Sequence, residues 1–220
     1  NLIIFFMNII EVILVDDHAV VRTGYKILLK EAEYIEIIAE TDTGEEAIDL
    51  AKKLSPDVIV MDISLPGING IEAIRRILLH NKNIKILVFS MHEEVVFVER
   101  ALQAGAIGYM TKSSDPKLLL KAINSVSTGK KFIDNDLKKK MTYEYERTRE
   151  SDTILSDLST REFQIFCLLA EGKNTTEISK ILNISYKTVA NYSSQIKNKL
   201  HASTVADIAR IAIRHNIIKA

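Results

Sequence analysis

The sequence predicts an α/β doubly wound five-stranded parallel sheet followed by an all-α, four-helix helix-turn-helix domain. Three observations carry this expectation. Apolar runs alternate with helical patterns through the first half, as in a sheet built from βα units. The runs are nearly continuous in hydrophobicity, the pattern of parallel strands buried on both faces. Beyond about residue 157 the strand pattern stops, and four helical segments joined by short turns follow.

Taken in order, strands are expected at about 9–15, 35–39, 57–62, 84–89 and 106–110, and helices at about 18–32, 44–54, 70–80, 93–104 and 115–127. Gly44-Glu45-Glu46-Ala47 and Asn69-Gly70-Ile71-Glu72 read as helix entries, and Ser55-Pro56 as a turn. Four strands close on a polar residue. Ile9 to Val15 runs into Asp16-Asp17, Val58 to Met61 into Asp62, Ile84 to Phe89 into Ser90, and Ala106 to Thr111 into Lys112. In an open α/β sheet ligands bind beyond the carboxyl ends of the strands, at the topological switch point. Three carboxylates, a hydroxyl and an ammonium should therefore converge.

Clustered carboxylates repel one another. A hard dication with oxygen ligands, such as Mg²⁺, relieves this. Lys112 is a point charge suited to phosphate, and Ser90 can donate to a phosphoryl oxygen. Asp62, on the central strand, is best placed to act as a nucleophile and form an acyl phosphate. The plain alternative is that such acids only cap the following helices, as Asp17 could before His18-Ala19-Val20.

Val15-Asp16-Asp17, Met61 to Gly70 (MDISLPGING), Phe89 to His92 (FSMH) and Ala104 to Lys112 (AGAIGYMTK) resemble the CheY-like receiver domain of bacterial two-component response regulators. The resemblance covers about residues 8–128. It implies that Asp62 is the phosphoacceptor. It further implies that Asp16, Asp17, Asp62 and the Ile63 carbonyl hold Mg²⁺, that Ser90 is the switch hydroxyl, that Lys112 binds phosphate and that Tyr109 is the switch aromatic. Pro66-Gly67 looks like the turn beside the site, and the strand order 2-1-3-4-5 is likewise an expectation from the family.

At 220 residues two domains are expected. The 29 basic and 29 acidic residues balance, so net charge alone indicates no nucleic-acid partner. Cys167 is the single cysteine, which excludes an intramolecular disulfide, and it sits in an apolar helical pattern as a small core residue. The five histidines look scattered, without metal spacing. The apolar start, interrupted at Glu11, falls short of the roughly 20 residues that span a bilayer, and it lacks a basic n-region. Met7 is read as the true start and residues 1–6 as upstream of it, within an extension segment placed at 1–7, and the protein as cytoplasmic. The receiver is placed at 8–130, a polar linker at 131–156 and the helical domain at 157–220.

In the second domain Ser159-Thr160-Arg161-Glu162 has the capping-box pattern, and Gly172 ends that helix. Helices are expected from Thr175 to Leu182, at about 186–200 after a cap at Ser185, and at about 203–214. Between Ile178 and Ala206 there is no acidic residue but four lysines, Lys180, Lys187, Lys197 and Lys199. Such a patch attracts a phosphate backbone, though it could also be an ordinary solvated face. With Val189, Ile196 and Leu200 inward, Lys187, Asn191, Ser194, Gln195 and Asn198 share the opposite face. Asn and Gln pair bidentately with adenine in the major groove.

Leu158 to Glu162, Ala170 to Asn174, Glu177-Ile178-Ser179, Lys187-Thr188-Val189 and Lys199-Leu200 resemble the LuxR/NarL/FixJ-type output domain. The common pattern has Lys and His where this chain has Ala190 and Tyr192, which points to a different operator. The contacts implied are Lys180, Lys187, Thr188, Ala190, Asn191, Ser194, Gln195, Lys197 and Lys199. Tyr192, with Ala212 to Asn216, is similar to the GacA/UvrY branch, which implies promoters of small regulatory RNAs as targets. The last helix carries Val205, Ile208, Ala209, Ala212 and Ile213, whose exposed part could form a dimer seam.

The reading is a Mg²⁺-dependent, phosphorylation-activated transcription regulator. The implied partners are a sensor histidine kinase, double-stranded DNA carrying a promoter inverted repeat, and a second copy when phosphorylated. No membrane partner is expected, and no enzyme activity beyond its own phosphoryl transfer and loss. One rival, an aspartyl-phosphate hydrolase, resembles Asp-x-Asp on one strand, whereas the acids here are adjacent. The other is a protein-interaction regulator whose helical domain has lost DNA binding.

Overall fold

A computed structural model describes residues 9–147 and 153–218. The chain divides into two compact units between Lys139 and Lys140. The expected extension at 1–7 lies outside the described residues.

The first unit holds β1 (Ile10–Val15), α1 (Ala19–Lys30), β2 (Ile35–Thr41), α2 (Gly44–Leu54), β3 (Val58–Met61), α3 (Gly70–His80), β4 (Lys85–Ser90), α4 (Val95–Gln103), β5 (Gly108–Thr111), α5 (Lys117–Ser127) and β6 (Phe132–Ile133). The strands are all parallel, in the order β2-β1-β3-β4-β5-β6. Strand direction of growth reverses between β1 and β3, so the switch point lies where Asp16-Asp17 and Asp62 end their strands. Every residue of β3 is buried, and all of β1 but Glu11. Val12, Leu14, Val58, Val60, Leu87 and Phe89 pack with Leu29 of α1 and Leu119, Ala122, Ile123 and Val126 of α5. Alternate residues Ile13, Ile59, Met61, Ile86 and Val88 are also buried, and alternation sends them to the other face.

The sheet differs from expectation by its sixth strand. Phe132 and Ile133, placed in a linker by the sequence, pair with Gly108 and Tyr109. Phe132 packs on the core, so an apolar pair hidden between lysines and an acid extends the edge. The helix α6 (Asn135–Arg147) follows. Its first turn is anchored by Asp134, buried, which accepts the Asp136 N–H at 3.1 Å and the Ser114 hydroxyl.

The second unit carries a short 3₁₀ turn (Thr153–Leu155), α7 (Thr160–Ala170), α8 (Thr175–Ile181), α9 (Tyr186–Lys199) and α10 (Val205–Arg214). Capping boxes open three of these helices: Ser159 with Glu162, Asn174 with Glu177, and Thr204 with Asp207. Each box satisfies two N–H groups that the helix itself cannot. Phe163, Ile165, Phe166, Leu169, Ile178, Val189, Ile196, Ile208 and Ala212 are buried. Cys167, expected in the core, is only half-buried. Asn183, at φ 50°, turns α8 into α9, and Ser185 caps α9 by accepting the Thr188 N–H at 3.0 Å. No helix among the described residues is long and apolar enough to cross a membrane.

Candidate functional site

Backbone bonds between neighbouring strand ends fix the acidic site. The Asp62 N–H donates to the Val15 carbonyl at 2.8 Å, the Asp16 N–H to Thr41 at 3.1 Å and the Lys112 N–H to Ser90 at 2.8 Å. Register thus converts strand-end residues into neighbours. Lys112 Nζ lies 2.6 Å from Asp62 Oδ2 and 2.6 Å from Asp16 Oδ2. All three side chains are almost completely buried. Burial opposes the Lys112 charge, but the Asp62 and Asp16 carboxylates outweigh it and leave its pKa raised. Asp17 is at the rim, with a third of its side chain exposed.

Asp62 Oδ1 accepts the Ser64 N–H at 3.2 Å. The expected ligand carbonyl, Ile63, accepts the Gly70 N–H at 3.1 Å, which leaves its second lone pair. Gly70 is required here. A Cβ at this position would lie 2.0 Å from the Asp62 carbonyl oxygen and 2.7 Å from Ile63 Cα. Its neighbour Asn69 caps α3 by accepting the Glu72 N–H at 2.9 Å. Gly67, at φ 69°, makes the expected turn beside the site.

Ser90 is fully buried and its hydroxyl accepts the His92 N–H at 3.4 Å. Tyr109, the expected switch aromatic, lies inside the receiver. It is 0% exposed and donates to the His92 carbonyl at 3.0 Å. Burial, with Glu94 and Asp62 nearby, pushes its phenol far up, so it stays a neutral donor.

His18 is a correction. Spacing between histidines carries no sign of it, because its partners are its own chain neighbours. Donor atoms of Asp16, Asp17, His18 and Asp62 lie within 4.8 Å of one another. This donor set fits a dication, and Lys112 already occupies a cation's place between two of the carboxylates.

In the second unit, α9 presents Lys187, Asn191, Ser194, Gln195 and Asn198 together on its exposed face, with Val189 and Ile196 buried behind. Lys180 of α8 is exposed as well. Ala190, Thr188 and Lys197 sit at the margin, half-buried, and the Thr188 hydroxyl is 2.8 Å from that of Ser185. Lys199 departs from the expectation. Its ammonium is bound by Glu162 Oε2 at 2.7 Å and the Asp157 carbonyl at 3.1 Å, so it ties α9 to the α7 cap. Burial raises the Glu162 pKa, but Lys199 and Ser159 outweigh it and hold the carboxyl below its ordinary range.

The family model "Response regulator receiver domain" matches residues 12–124, and "Bacterial regulatory proteins, luxR family" matches residues 156–212. The chain is 35% identical over 211 residues to the response regulator UvrY of Escherichia coli K12, covering 96% of this chain and 97% of UvrY. The chain belongs to the LuxR-type two-component response regulators. The response regulator GacA of Pseudomonas aeruginosa is 36% identical over 96% of this chain and 99% of GacA. Among solved structures, one of two RcsB dimers bound to two parallel DNAs matches with TM-score 0.61 and 28% identity, covering 92% of this chain and 97% of that one. This response regulator is thus a receiver joined to a DNA-binding, helix-turn-helix transcription regulator, not an enzyme of the ordinary kind. Its family's receivers take phosphate from histidine kinases and bind Mg²⁺ in an acidic pocket.

Proposed function

We propose that Asp62 accepts a phosphoryl group from a sensor histidine kinase and that this acyl phosphate switches α9 onto promoter DNA. The observation that carries the reading is Lys112, seated between Asp16 and Asp62 at the switch point. An Asp62 oxygen attacks phosphorus, the bond to the donor imidazole breaks, and the imidazole leaves with its electron pair. Lys112 and the Ser90 hydroxyl then hold phosphoryl oxygens. Asp16, Asp17, Asp62 and the Ile63 carbonyl would hold Mg²⁺, which neutralises charge gathering on the transferred group. The receiver's own residues perform this transfer and the later hydrolysis, and the chain needs no other catalytic activity.

Ser90 moves toward the new phosphate, and the packing of Tyr109 under the β4–α4–β5 face responds. Because Tyr109 is already inside, phosphorylation stabilises this arrangement rather than creating it, a shift of populations. The segment 131–156 joins the two functions. The recognition surface comprises Lys180, Lys187, Thr188, Ala190, Asn191, Ser194, Gln195 and Lys197, and it reads an inverted repeat as a homodimer. RcsB dimers on DNA support that assembly, as does α10, where Val205 and Ile213 are exposed and Ile208 and Ala212 buried. By likeness to GacA and UvrY, promoters of small regulatory RNAs in the cytoplasm are the targets. The test is selection of genomic fragments by the purified chain with Mg²⁺, with and without a small-molecule phosphate donor. A shared inverted repeat enriched only after phosphorylation supports the switch. Equal enrichment in both samples rejects it, and no enrichment in either favours a protein-interaction regulator.

A further inference from the structure

Ser114 lies two residues past Lys112 and has no part in the phosphoryl chemistry above. Its hydroxyl donates to Asp134 Oδ2. Its oxygen is 2.8 Å from Thr111 Oγ1, and with the Ser114 proton given to Asp134, Thr111 is the donor in that contact. Thr111 is buried at the end of β5, in register with Ser90 of β4. Asp134 is also buried, and it stands at the N-cap of α6. Its Oδ1 accepts the Asp136 N–H at 3.1 Å, and its carbonyl accepts the Lys138 N–H at 2.9 Å. Its own N–H donates to the Tyr109 carbonyl at 3.1 Å. One residue therefore joins β5 at Tyr109, the loop that follows Lys112, and the first turn of α6.

We propose that the Thr111–Ser114–Asp134 chain carries the phosphorylation state of Asp62 to the first turn of α6. The inference rests on the phosphoryl reading given above. Lys112 has its ammonium on Asp16 and Asp62 and its N–H on the Ser90 carbonyl. A shift of Ser90 or of the ammonium toward a phosphoryl group is therefore felt at the end of β5. Thr111 is the adjoining residue, and from there two side-chain contacts reach Asp134. Polar chains of this kind do not deform smoothly, because a buried group that loses its partner is costly. The two-state element is the first turn of α6, capped by Asp134 or released from it. Phosphorylation that favours one arrangement shifts its population. A carboxylate that only capped α6 would hold the turn equally with and without phosphate, and would need no hydroxyl from the Lys112 loop.

The test uses the full chain with Mg²⁺, with and without a small-molecule phosphate donor in excess. Wild type is compared with Ser114→Ala, Ser114→Thr and Thr111→Val. Ser114→Ala cuts the chain and keeps the Asp134 cap. Ser114→Thr keeps the hydroxyl, and Thr111→Val cuts one link earlier at nearly constant shape. Phosphoryl uptake is measured alongside hydrogen exchange, by NMR, of the Asp136 and Lys138 amides that Asp134 accepts. In wild type phosphorylation should change exchange at both amides by about tenfold, a size usual for coupling between sites. Ser114→Ala and Thr111→Val should take up phosphate at the wild-type rate yet exchange alike in both states, and Ser114→Thr should restore the difference. Loss of structural support alone would speed exchange in both states and leave their ratio as in wild type, and that outcome in either cut variant overturns the inference. So does a wild type that takes up phosphate with no change at these amides. If wild type takes up no phosphate, the phosphoryl reading itself fails, and the inference with it.

Discussion

At the residue scale the proposed chemistry turns on Lys112 and Asp62. Asp62→Ala should abolish label uptake from a phosphate donor while the receiver keeps its fold, checked by circular dichroism. Uptake at the wild-type rate would remove Asp62 as nucleophile. Lys112→Met leaves the buried Asp16 and Asp62 carboxylates facing each other without a cation. Removing one partner from a buried ion pair costs about 3 kcal/mol, and Mg²⁺ should restore part of it. Denaturation in EDTA and in Mg²⁺ measures both, and equal stability of variant and wild type would contradict the ion-pair account. The sign of the pH dependence follows from the raised Lys112 pKa. Its contribution is complete below the free lysine value of about 10.4 and is lost as pH rises through the higher folded value. Neutral pH is therefore flat for this group. Asp16, Asp17, Asp62, Ser90 and Lys112 were legible in the sequence because each directly ends an apolar strand. The burial of Tyr109 was not, because a pattern of residues carries no information about which of two packings an aromatic adopts. His18 was missed because its partners are the two residues before it.

At the scale of elements, two junctions set the geometry. Gly70 lets α3 start against the end of β3. Gly70→Ala should push the two apart at a cost of about 1–3 kcal/mol and slow phosphoryl uptake more than it lowers cooperativity of unfolding. An unchanged uptake rate would show that the contact yields freely. Glu162 joins the α7 cap to the end of α9 through Lys199. Its lowered pKa means that its contribution is present above the free glutamate value and is lost as pH falls through the folded one. Glu162→Gln should flatten the acid limb of the DNA-binding unit's stability below about pH 4.3, read by thermal melts across that range. The α9 face was legible from helical spacing alone. Lys199 was not, because counting lysines treats them as equal, while its partner lies 37 residues earlier. The strand β6 was missed because two residues are too few to show a period.

The whole molecule is neutral by formal charge, yet the segment from Ile178 to Ala206 is free of acids. On the proposed reading, local asymmetry rather than net charge should govern DNA binding. Lys187→Ala should weaken binding to all sequences alike and reduce the salt slope by about one unit, whereas Asn191→Ala should relax preference at one base position. Lys199→Ala should lower stability and leave that slope unchanged. Binding titrations over a salt series check all three, and a slope change for Lys199→Ala would return it to the interface. Phosphorylation then acts on a different unit of the chain from the one these variants alter. The variants should therefore keep wild-type phosphoryl uptake.

The placement of Lys112 has one more consequence. Before any phosphoryl group arrives, the acidic pocket already contains its own counter-ion. Without a dication, Asp16 and Asp62 would still share an ammonium instead of facing each other bare. On the proposed reading, an acyl phosphate at Asp62 would give the ammonium a new anionic neighbour without drawing it in from solvent. Readiness and rest would then differ by a swap of partners within a few ångströms, and loss of the phosphoryl group would return the lysine to the seat it left.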